Sequence, residues 1–175
     1  FIKLVGVDTI LGPEMKSTGE VMGVGNSFAE AFIKSQLATG IRLPESGKIF
    51  ISVRGSDKLQ AIEIARDLAK LGFALYATRG TAAVMNDAGL KVHAVNKVAE
   101  GRPHIVDMIK NGEIELIVNT VSNKRSAIRD SYSIRHAALE AGVTCYTTLA
   151  GARAACVGMT NMKELQPYSL QKLHS

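Results

Sequence analysis

Residues 48–90 read KIFISVRGSDKLQAIEIARDLAKLGFALYATRGTAAVMNDAGL, and this stretch decides the predicted fold. A short apolar strand at residues 49–53 is followed by a predicted helix that ends at Gly72. The apolar residues at helical spacing, expected on its buried face, are Leu59, Ile62, Ala65, Leu68 and Ala69. A second strand at residues 73–77 then leads into a second helix at residues 78–87. Strand–helix units in direct succession predict parallel strands joined by crossover helices.

The same alternation continues along the rest of the chain. Further strands are predicted at residues 92–95, 115–119 and 143–146, and further helices at residues 104–111, 129–141 and 149–159. Short apolar strands with intervening helices are typical of a parallel sheet that is covered on both faces. The sequence therefore predicts an α/β fold with a five-stranded parallel sheet and right-handed crossovers.

Residues 1–46 lack this regular pattern. They contain an apolar run at residues 1–7, a turn-rich polar stretch at residues 12–20 and a predicted helix at residues 27–37. That helix would place four apolar side chains on one face: Phe28, Ala31, Phe32 and Leu37. A lone strand and helix bury too little surface to fold alone. We therefore expect these residues to be the tail and linker of a preceding domain, and residues 47–175 to form the α/β domain.

Composition argues against several classes of protein. The 175 residues are 46% hydrophobic with a net charge of +5, which suits one compact domain rather than a disordered chain. With 5% aromatic residues and no dense basic run, a nucleic-acid-binding protein is not indicated. No apolar run approaches the ~20 residues that span a bilayer.

Cys145 and Cys156 lack disulfide or zinc spacing, which indicates a reducing cytoplasm. Metal spacing is also missing among the histidines, which are His93, His104, His136 and His174.

Polar side chains follow each predicted strand at its carboxyl end, which is where open α/β sheets bind ligands. These segments are residues 54–58, 78–81, 96–97, 119–125 and 147–148. Hydrogen-bond donors and cations dominate them, and Asp57 is the one carboxylate close by. This edge of the sheet therefore suits a phosphate-bearing anion.

The segment Thr78-Arg79-Gly80-Thr81 lies at a strand-to-helix turn. A helix N-terminus offers free N–H groups and a positive dipole end to a phosphate, and Gly80 lets the backbone come close to a ligand. The two threonine hydroxyls can add hydrogen bonds. The same residues also fit a plain helix cap and turn, so the pattern alone leaves both interpretations open.

Other residues of this edge are individually ambiguous. Lys58 and Lys97 lie on it, although a single surface lysine is usually only solvated. Asn119 ends the most apolar strand, where its carboxamide could contact a base or a sugar, or could close a local turn. Cys145 falls within a strand and is expected to be a core residue rather than a nucleophile.

Two separate stretches resemble the carbamoyl-phosphate synthase large-chain family. PEMKSTGEVMG at residues 13–23 resembles the segment that closes its second ATP-grasp unit. Further motifs resemble its C-terminal regulatory domain, namely SVR at 52–54 with DK at 57–58, ATRGTA at 77–82, VNKV at 95–98, EGRPHI at 100–105 and VNT at 118–120. This resemblance implies a methylglyoxal-synthase-like, three-layer α/β/α fold over about residues 47–175.

The resemblance also implies an allosteric domain without chemistry of its own. In bacterial relatives such a domain binds UMP as inhibitor and IMP as activator. The residues implied to contact or adjoin the effector are Lys58, Thr78, Thr81, Lys97, Asn119 and Asp130. The phosphate would meet the lysines and threonines, and Asn119 would face the ribose or base with Asp130 nearby. Relatives often carry a threonine where this chain has Val121, which leaves effector identity open.

Two other effectors are weaker matches. Relatives that respond to ornithine bind it near the positions of Leu11 and Thr147, but Cys145 replaces a tyrosine of that pattern. Animal relatives respond to N-acetylglutamate and carry a tryptophan where this chain has Lys97. The resemblance thus favours a nucleotide and leaves an ornithine response open.

The whole enzyme of this family makes carbamoyl phosphate for pyrimidine and arginine biosynthesis. It uses glutamine, bicarbonate and two ATP, with Mg²⁺ or Mn²⁺ and K⁺. The implied partners are a glutaminase small chain and further copies of the large chain, joined partly through this domain, in the cytoplasm. The resemblance implies that the ATP and metal sites are essentially missing from this sequence, so we expect no catalytic residue and no cofactor in residues 1–175.

Enzymes of the same fold are the alternatives. A methylglyoxal synthase, a lyase acting on dihydroxyacetone phosphate, would use the same threonine-glycine turn for phosphate. That family supplies an aspartate base in a Gly-Gly-Asp-Gln-type stretch, whereas residues 100–103 read EGRP and place Arg102 there. A cation cannot abstract the substrate proton. A nucleotide cyclohydrolase would need further catalytic residues that the sequence does not offer.

Overall fold

A computed structural model describes residues 21–41 and 43–162 of the chain. The strand expected at residues 1–7, the polar stretch at residues 12–20, Leu11 and the tail after residue 162 lie outside the described residues.

Helices and strands alternate along the described chain as the sequence predicts. Their bounds are α1 Phe28–Ala38, β1 Lys48–Ser52, α2 Lys58–Lys70, β2 Ala74–Thr78, α3 Arg79–Asp87, β3 Val92–Val95, α4 Ile105–Lys110, β4 Leu116–Asn119, α5 Arg125–Glu140, β5 Thr144–Tyr146 and α6 Leu149–Asn161. Short 3-10 turns, Gly55–Asp57 and Val98–Glu100, follow β1 and β3. Helix α5 begins at Arg125 rather than at the predicted residue 129, and its extra turn borders the site described below.

The five strands form one parallel sheet in the order β3-β2-β1-β4-β5. Central strand β1 pairs with β2 through Ile51 and Ala77 and with β4 through Ser52 and Asn119. This register brings the carboxyl ends of β2, β1 and β4 to one edge, with Thr78 and Asn119 on either side of Ser52. The predicted five-stranded parallel sheet is confirmed.

Each face of the sheet carries a hydrophobic core. Ile49 and Ile51 point to one face, where they pack with buried residues of α2, α3 and α6. Phe50 and Ile117 point to the other face, where they pack with α4 and α5. Successive strand residues face opposite sides, so an unbroken apolar run is what a sheet covered on both faces requires. The three-layer α/β/α architecture follows from this burial.

Helix α1 buries the predicted face only in part, with Phe32 packed against the core. Phe28 is 75% exposed, whereas Ala29 and Ile33 are buried. Ile33 packs at Gly158 of α6, where an added Cβ would lie 2.6 Å from Ile33 Cγ1, so the missing side chain permits the close approach of α1 and α6. Ile33 and Leu43 join the same core as β1. The domain boundary between residues 46 and 47 remains a prediction.

Helix α2 is also turned relative to its predicted face. Leu59 is 77% exposed and Ala69 is exposed, although both were expected in the core. The buried residues are Ala61, Ile64, Ala65 and Leu68. Their spacing is the full i, i+3, i+4, i+7 pattern of a helix face, which the prediction matched only in part.

Candidate functional site

A cavity of about 270 Å³ opens where the carboxyl ends of β1, β2 and β4 meet. The six residues that the resemblance implies for the effector all line it: Lys58, Thr78, Thr81, Lys97, Asn119 and Asp130. Five of them lie at or just after strand ends, where the parallel topology brings them together, and Asp130 comes from α5. Further lining hydroxyls from Ser52, Ser122, Ser126 and Ser131 were not singled out from the sequence.

The turn from β2 into α3 forms the deepest polar wall of this cavity. Thr78 and Thr81 are 5% and 2% exposed, and the Thr78 hydroxyl donates a hydrogen bond to Thr81 Oγ1 at 3.2 Å. Thr78 occupies the N-cap position of α3, but its side chain makes no capping bond. The plain capping interpretation is therefore wrong for the Thr78 side chain. The Thr78 side chain therefore does not compete with a ligand for the first N–H groups of α3.

Gly80 and Lys58 lie together at this turn. Lys58 Nζ donates a hydrogen bond to the Gly80 carbonyl oxygen at 2.8 Å, which brings an ammonium group to the start of α3. Gly80 is not one of the glycines with positive φ, so the backbone itself does not demand glycine. A Cβ at this position would lie 3.5 Å from Lys58 Nζ. The missing side chain keeps the space beside the ammonium open.

Lys97 and Asp130 face each other across the cavity mouth. Lys97 follows β3 and Asp130 lies in the second turn of α5, with Nζ and Oδ2 separated by 3.9 Å. Among the described residues that line this cavity, Asp130 is the one carboxylate, beside the cations Arg54, Lys58, Lys97 and Lys124. The cavity therefore has a cationic excess that favours an anion.

Asn119 is held by α5 at two points. Its Nδ2 donates to Ser131 Oγ at 2.8 Å, and its backbone oxygen accepts a bond from Arg135 at 3.0 Å. Asn119 and Ser131 are 2% and 4% exposed. The carboxamide is thus a fixed part of the cavity wall and does not close a local turn, one of the two roles considered for it.

Asp57 lies beside the cavity in a cluster that shapes the start of α2. Arg54 Nε donates to both carboxylate oxygens at 2.9 Å, and Ser56 Oγ donates to Oδ1 at 3.1 Å. Thr120 Oγ1 accepts from the Arg54 backbone N–H at 3.1 Å. Burial on its own raises the pKa of Asp57, but hydrogen bonds from Thr120, Arg54 and Ser56 outweigh it, so the net pKa lies below its ordinary value of 3.8. The cluster holds the turn from which Lys58 projects.

This cluster predicts an acid-sensitive contribution to stability. Because the pKa of Asp57 is lower in the folded state, its stabilising effect is complete above the unfolded-state pKa and is lost as pH falls through the folded-state pKa. We expect the stability difference between wild type and Asp57→Asn to be constant from about pH 7 to about pH 5 and to shrink below about pH 4. Urea unfolding at several pH values measures this difference. Asp87→Asn, outside the cluster, is the control, and a difference that persists unchanged to pH 3 would contradict the assignment.

Thr147 lies apart from the first cavity. It lines a second cavity of about 430 Å³, together with Arg54, Asp57 and Arg135. Asp57 therefore lines the second cavity, whereas the carboxylate that lines the first cavity belongs to Asp130. Leu11, the other residue implied for ornithine, lies outside the described residues.

Two further residues considered from the sequence, Cys145 and Arg102, lie outside the first cavity. Cys145 is half-buried in β5 against the core, and burial raises the pKa of its thiol. Arg102 has a side chain that is 80% exposed, and its Nε lies 3.5 Å from Asp107 Oδ1. Neither residue lines the first cavity.

Within residues 21–41 and 43–162, no three His, Cys, Asp or Glu side chains are arranged to hold a metal ion.

None of the helices in the described part of the chain combines the length and the apolar character needed to cross a bilayer.

Comparison with known proteins agrees with this architecture. The sequence matches the family of MGS-like domains over residues 60–147. The crystal structure of methylglyoxal synthase from Elizabethkingia anophelis is similar with a TM-score of 0.54, over 65% of this chain and 79% of that one. At 17% sequence identity, this likeness concerns the fold alone.

Sequence similarity to curated proteins extends along the whole chain. It is 59% identical over its full length to the carbamoyl phosphate synthase large chain of Ralstonia nicotianae. It is 56% identical over its full length to that of Pseudomonas putida, and 55% identical over 99% of its length to that of Neisseria meningitidis serogroup A. The chain spans 16% of the length of each of these relatives. The resemblance drawn from the sequence motifs is confirmed, and the chain belongs to the family of MGS-like domains, in the form found in carbamoyl phosphate synthase large chains.

Proposed function

We propose that the first cavity binds a nucleoside monophosphate, UMP or IMP, and that the chain is the allosteric effector-binding domain of a carbamoyl phosphate synthase large chain. The observation that carries the proposal is the convergence of Lys58 and the Thr78–Thr81 pair at the uncapped start of α3, in a cavity that Lys97 also lines. These groups supply what a phosphate monoester needs, namely two ammonium charges, hydroxyl groups and a helix N-terminus.

The strand ends that border the cavity are far enough apart to hold the two ends of a nucleotide. Thr78 and Asn119 end strands that flank β1, and neighbouring strands lie roughly 4.8 Å apart, so these residues stand about 10 Å from each other. A phosphate at the start of α3 would therefore direct its sugar and base toward β4 and α5. Val53, Val121 and Ile134 line that side, and their apolar surfaces suit the faces of a planar base.

The chain spans only 16% of the length of its relatives, so the activity of a whole enzyme is also part of this proposal. We infer a glutamine-hydrolysing ligase that forms carbamoyl phosphate with ATP, Mg²⁺ or Mn²⁺, and K⁺. Its partners would be a glutaminase small chain and further large chains that associate through this domain, in the cytoplasm. The chain itself would perform no catalysis and would hold no cofactor. Effector binding would bias the rest of the large chain by a coupling of about 1–3 kcal/mol.

A lyase of the same fold is the second candidate that the sequence left open. Its chemistry needs a carboxylate base beside the substrate carbon. The Arg102 side chain stands outside the cavity, and the one lining carboxylate, Asp130, is paired with Lys97. We therefore expect the purified chain to release no methylglyoxal from dihydroxyacetone phosphate, and turnover at a rate that depends on Asp130 would favour the lyase instead.

Isothermal titration of the 175-residue chain with UMP, IMP, ornithine and N-acetylglutamate tests the proposal directly. We expect saturable 1:1 binding of a nucleotide that competes with inorganic phosphate. Tight binding of N-acetylglutamate, or no binding of either nucleotide, would overturn it. Ornithine would be tested with and without UMP, because Thr147 lies in a different cavity.

Removal of the Thr78 hydroxyl separates a ligand role from a structural one. Thr78→Val keeps the shape of the side chain but deletes the hydrogen bond to Thr81. We expect UMP affinity to fall by roughly 1.5–3 kcal/mol, the range for hydrogen bonds to charged groups, and stability to fall by only about 1 kcal/mol. Calorimetric titration and thermal melting measure the two effects. Equal losses in both would make Thr78 a structural residue.

A further inference from the structure

The second cavity, of about 430 Å³, differs from the first in the charged groups that line it. Among the described residues, its lining contains two guanidinium groups, of Arg54 and Arg135, and one carboxylate, of Asp57. Arg54 Nε donates to both carboxylate oxygens of Asp57 at 2.9 Å, so these two charges balance each other. The charge of Arg135 is left over, which gives the cavity a cationic excess.

Arg135 is a half-buried cation without a counter-ion. Its Nη2 donates to the Asn119 backbone oxygen at 3.0 Å, while its Nε is fully enclosed and has no hydrogen-bond partner in the described chain. No carboxylate of residues 21–41 and 43–162 lies within ion-pair distance of this guanidinium. A partly desolvated charge without a partner is costly, so an anion beside it would gain a strong contact.

The groups around this cation favour a carboxylate. A guanidinium presents a planar fork that matches the two oxygens of a carboxylate, and no lysine lines this cavity within the part of the chain that the structure describes. The Thr147 hydroxyl and the Gln60 carboxamide line the same space and can bind further polar groups of a ligand. Ornithine carries two ammonium groups, which the cationic excess would repel.

We propose that the second cavity binds a small carboxylic acid that carries no ammonium group, with its carboxylate against the guanidinium of Arg135. This site is separate from the nucleotide site proposed above, although Arg54, Thr120 and Val121 line both cavities. The proposal does not rest on nucleotide binding. Failure of UMP and IMP to bind would overturn the proposed function and leave this inference standing.

A matched ligand pair tests the site in the unmodified 175-residue chain. Lactate and lactamide have nearly the same shape, but only lactate carries a negative charge. In NMR titrations at constant ionic strength, we expect saturable binding of lactate that is at least about tenfold tighter than binding of lactamide. The backbone amide signals of residues 120–121 and 147–149 should shift on binding. Equal affinities, shifts centred on residues 78–81 of the first cavity, or tighter binding of ornithine at residues 147–149 would each overturn the inference.

Replacement of the unpaired cation should abolish this binding. Arg135→Gln removes the positive charge and keeps a hydrogen-bond donor, so we expect lactate affinity to fall at least about tenfold. Arg129→Gln is the matched control, because Arg129 is exposed on the same helix and lines neither cavity. Wild-type lactate affinity in a folded Arg135→Gln variant would contradict the proposal, and thermal melting checks that the variant is folded.

Removal of the carboxylate should have the opposite effect. Asp57→Asn leaves both guanidinium groups without a negative charge in the lining, so we expect lactate to bind severalfold more tightly. A gain in affinity cannot come from damage to the fold, which keeps the proposal testable if Arg135→Gln is unstable. Asp87→Asn makes the same change in net charge outside both cavities and should leave lactate affinity unchanged. Equal lactate affinity in the two aspartate variants would overturn the inference.

Discussion

UMP affinity is expected to fall by roughly 1.5–3 kcal/mol, about 10- to 150-fold, when Lys97 is replaced by alanine. Lys97 supplies one of the two ammonium groups proposed to meet the phosphate, and its Nζ already lies 3.9 Å from Asp130. The substitution removes a charge-assisted contact to the phosphate. It also leaves the Asp130 carboxylate without its counter-ion, so repulsion of the dianion adds to the loss.

Lys70→Ala is the matched control for this experiment. Lys70 is also a lysine in an ion pair, with Asp67 at 3.5 Å, but it lies at the end of α2 and does not line the cavity. Both variants lower the net charge by one, so an effect confined to Lys97 cannot come from net charge. Inorganic phosphate should lose affinity along with UMP, because the contact is to the phosphate. Unchanged UMP affinity by calorimetry would remove Lys97 from the site.

The sheet could be predicted because its central strands β1 and β4 are apolar on both faces and its strands are separated by turn residues. The residues of such strands do not alternate between apolar and polar, so the strands cannot be mistaken for ones with a solvent-exposed face. Their alternation with helices along the chain implies parallel pairing. Helix faces were harder to predict. Phe28 and Leu59 are apolar but exposed, since burial in α1 and α2 is decided by the partner surface. Gly158 admits Ile33 at one point of α6, and no property of α1 by itself indicates that position.

The cavity could be predicted in part from topology. Lys58, Thr78 and Lys97 follow strand ends, and parallel strands bring their carboxyl ends to one edge. Ser131 gives no such signal, because it lies inside a helix and meets Asn119 only through the packing of α5 on β4. The start of α5 at Arg125, earlier than predicted, contributes Ser126 to the lining for the same reason. A contact between a residue in the middle of a helix and a residue at a strand end depends on tertiary packing. A local sequence pattern does not predict such a contact.

Gly80→Ala is expected to move stability and affinity in opposite directions. Gly80 has ordinary helical geometry near the start of α3, so alanine should stabilise the fold by roughly 0.5–1 kcal/mol through helix propensity. The new methyl group would lie 3.5 Å from Lys58 Nζ, in the space proposed for the phosphate. One extra carbon in a fitted pocket costs about 10- to 200-fold in selectivity, and we expect a loss of UMP affinity in that range.

Ala83→Gly supplies the opposite change on the same helix. Ala83 is exposed on α3 and does not line the cavity, so glycine there should cost about 1 kcal/mol of stability and leave UMP affinity unchanged. Thermal melting and calorimetric titration of both variants separate helix propensity from ligand contact. If Gly80→Ala were stabilised and still bound UMP with wild-type affinity, the phosphate could not lie against the start of α3. The assignment of that end of the cavity would then have to be abandoned, whatever the Lys97 result.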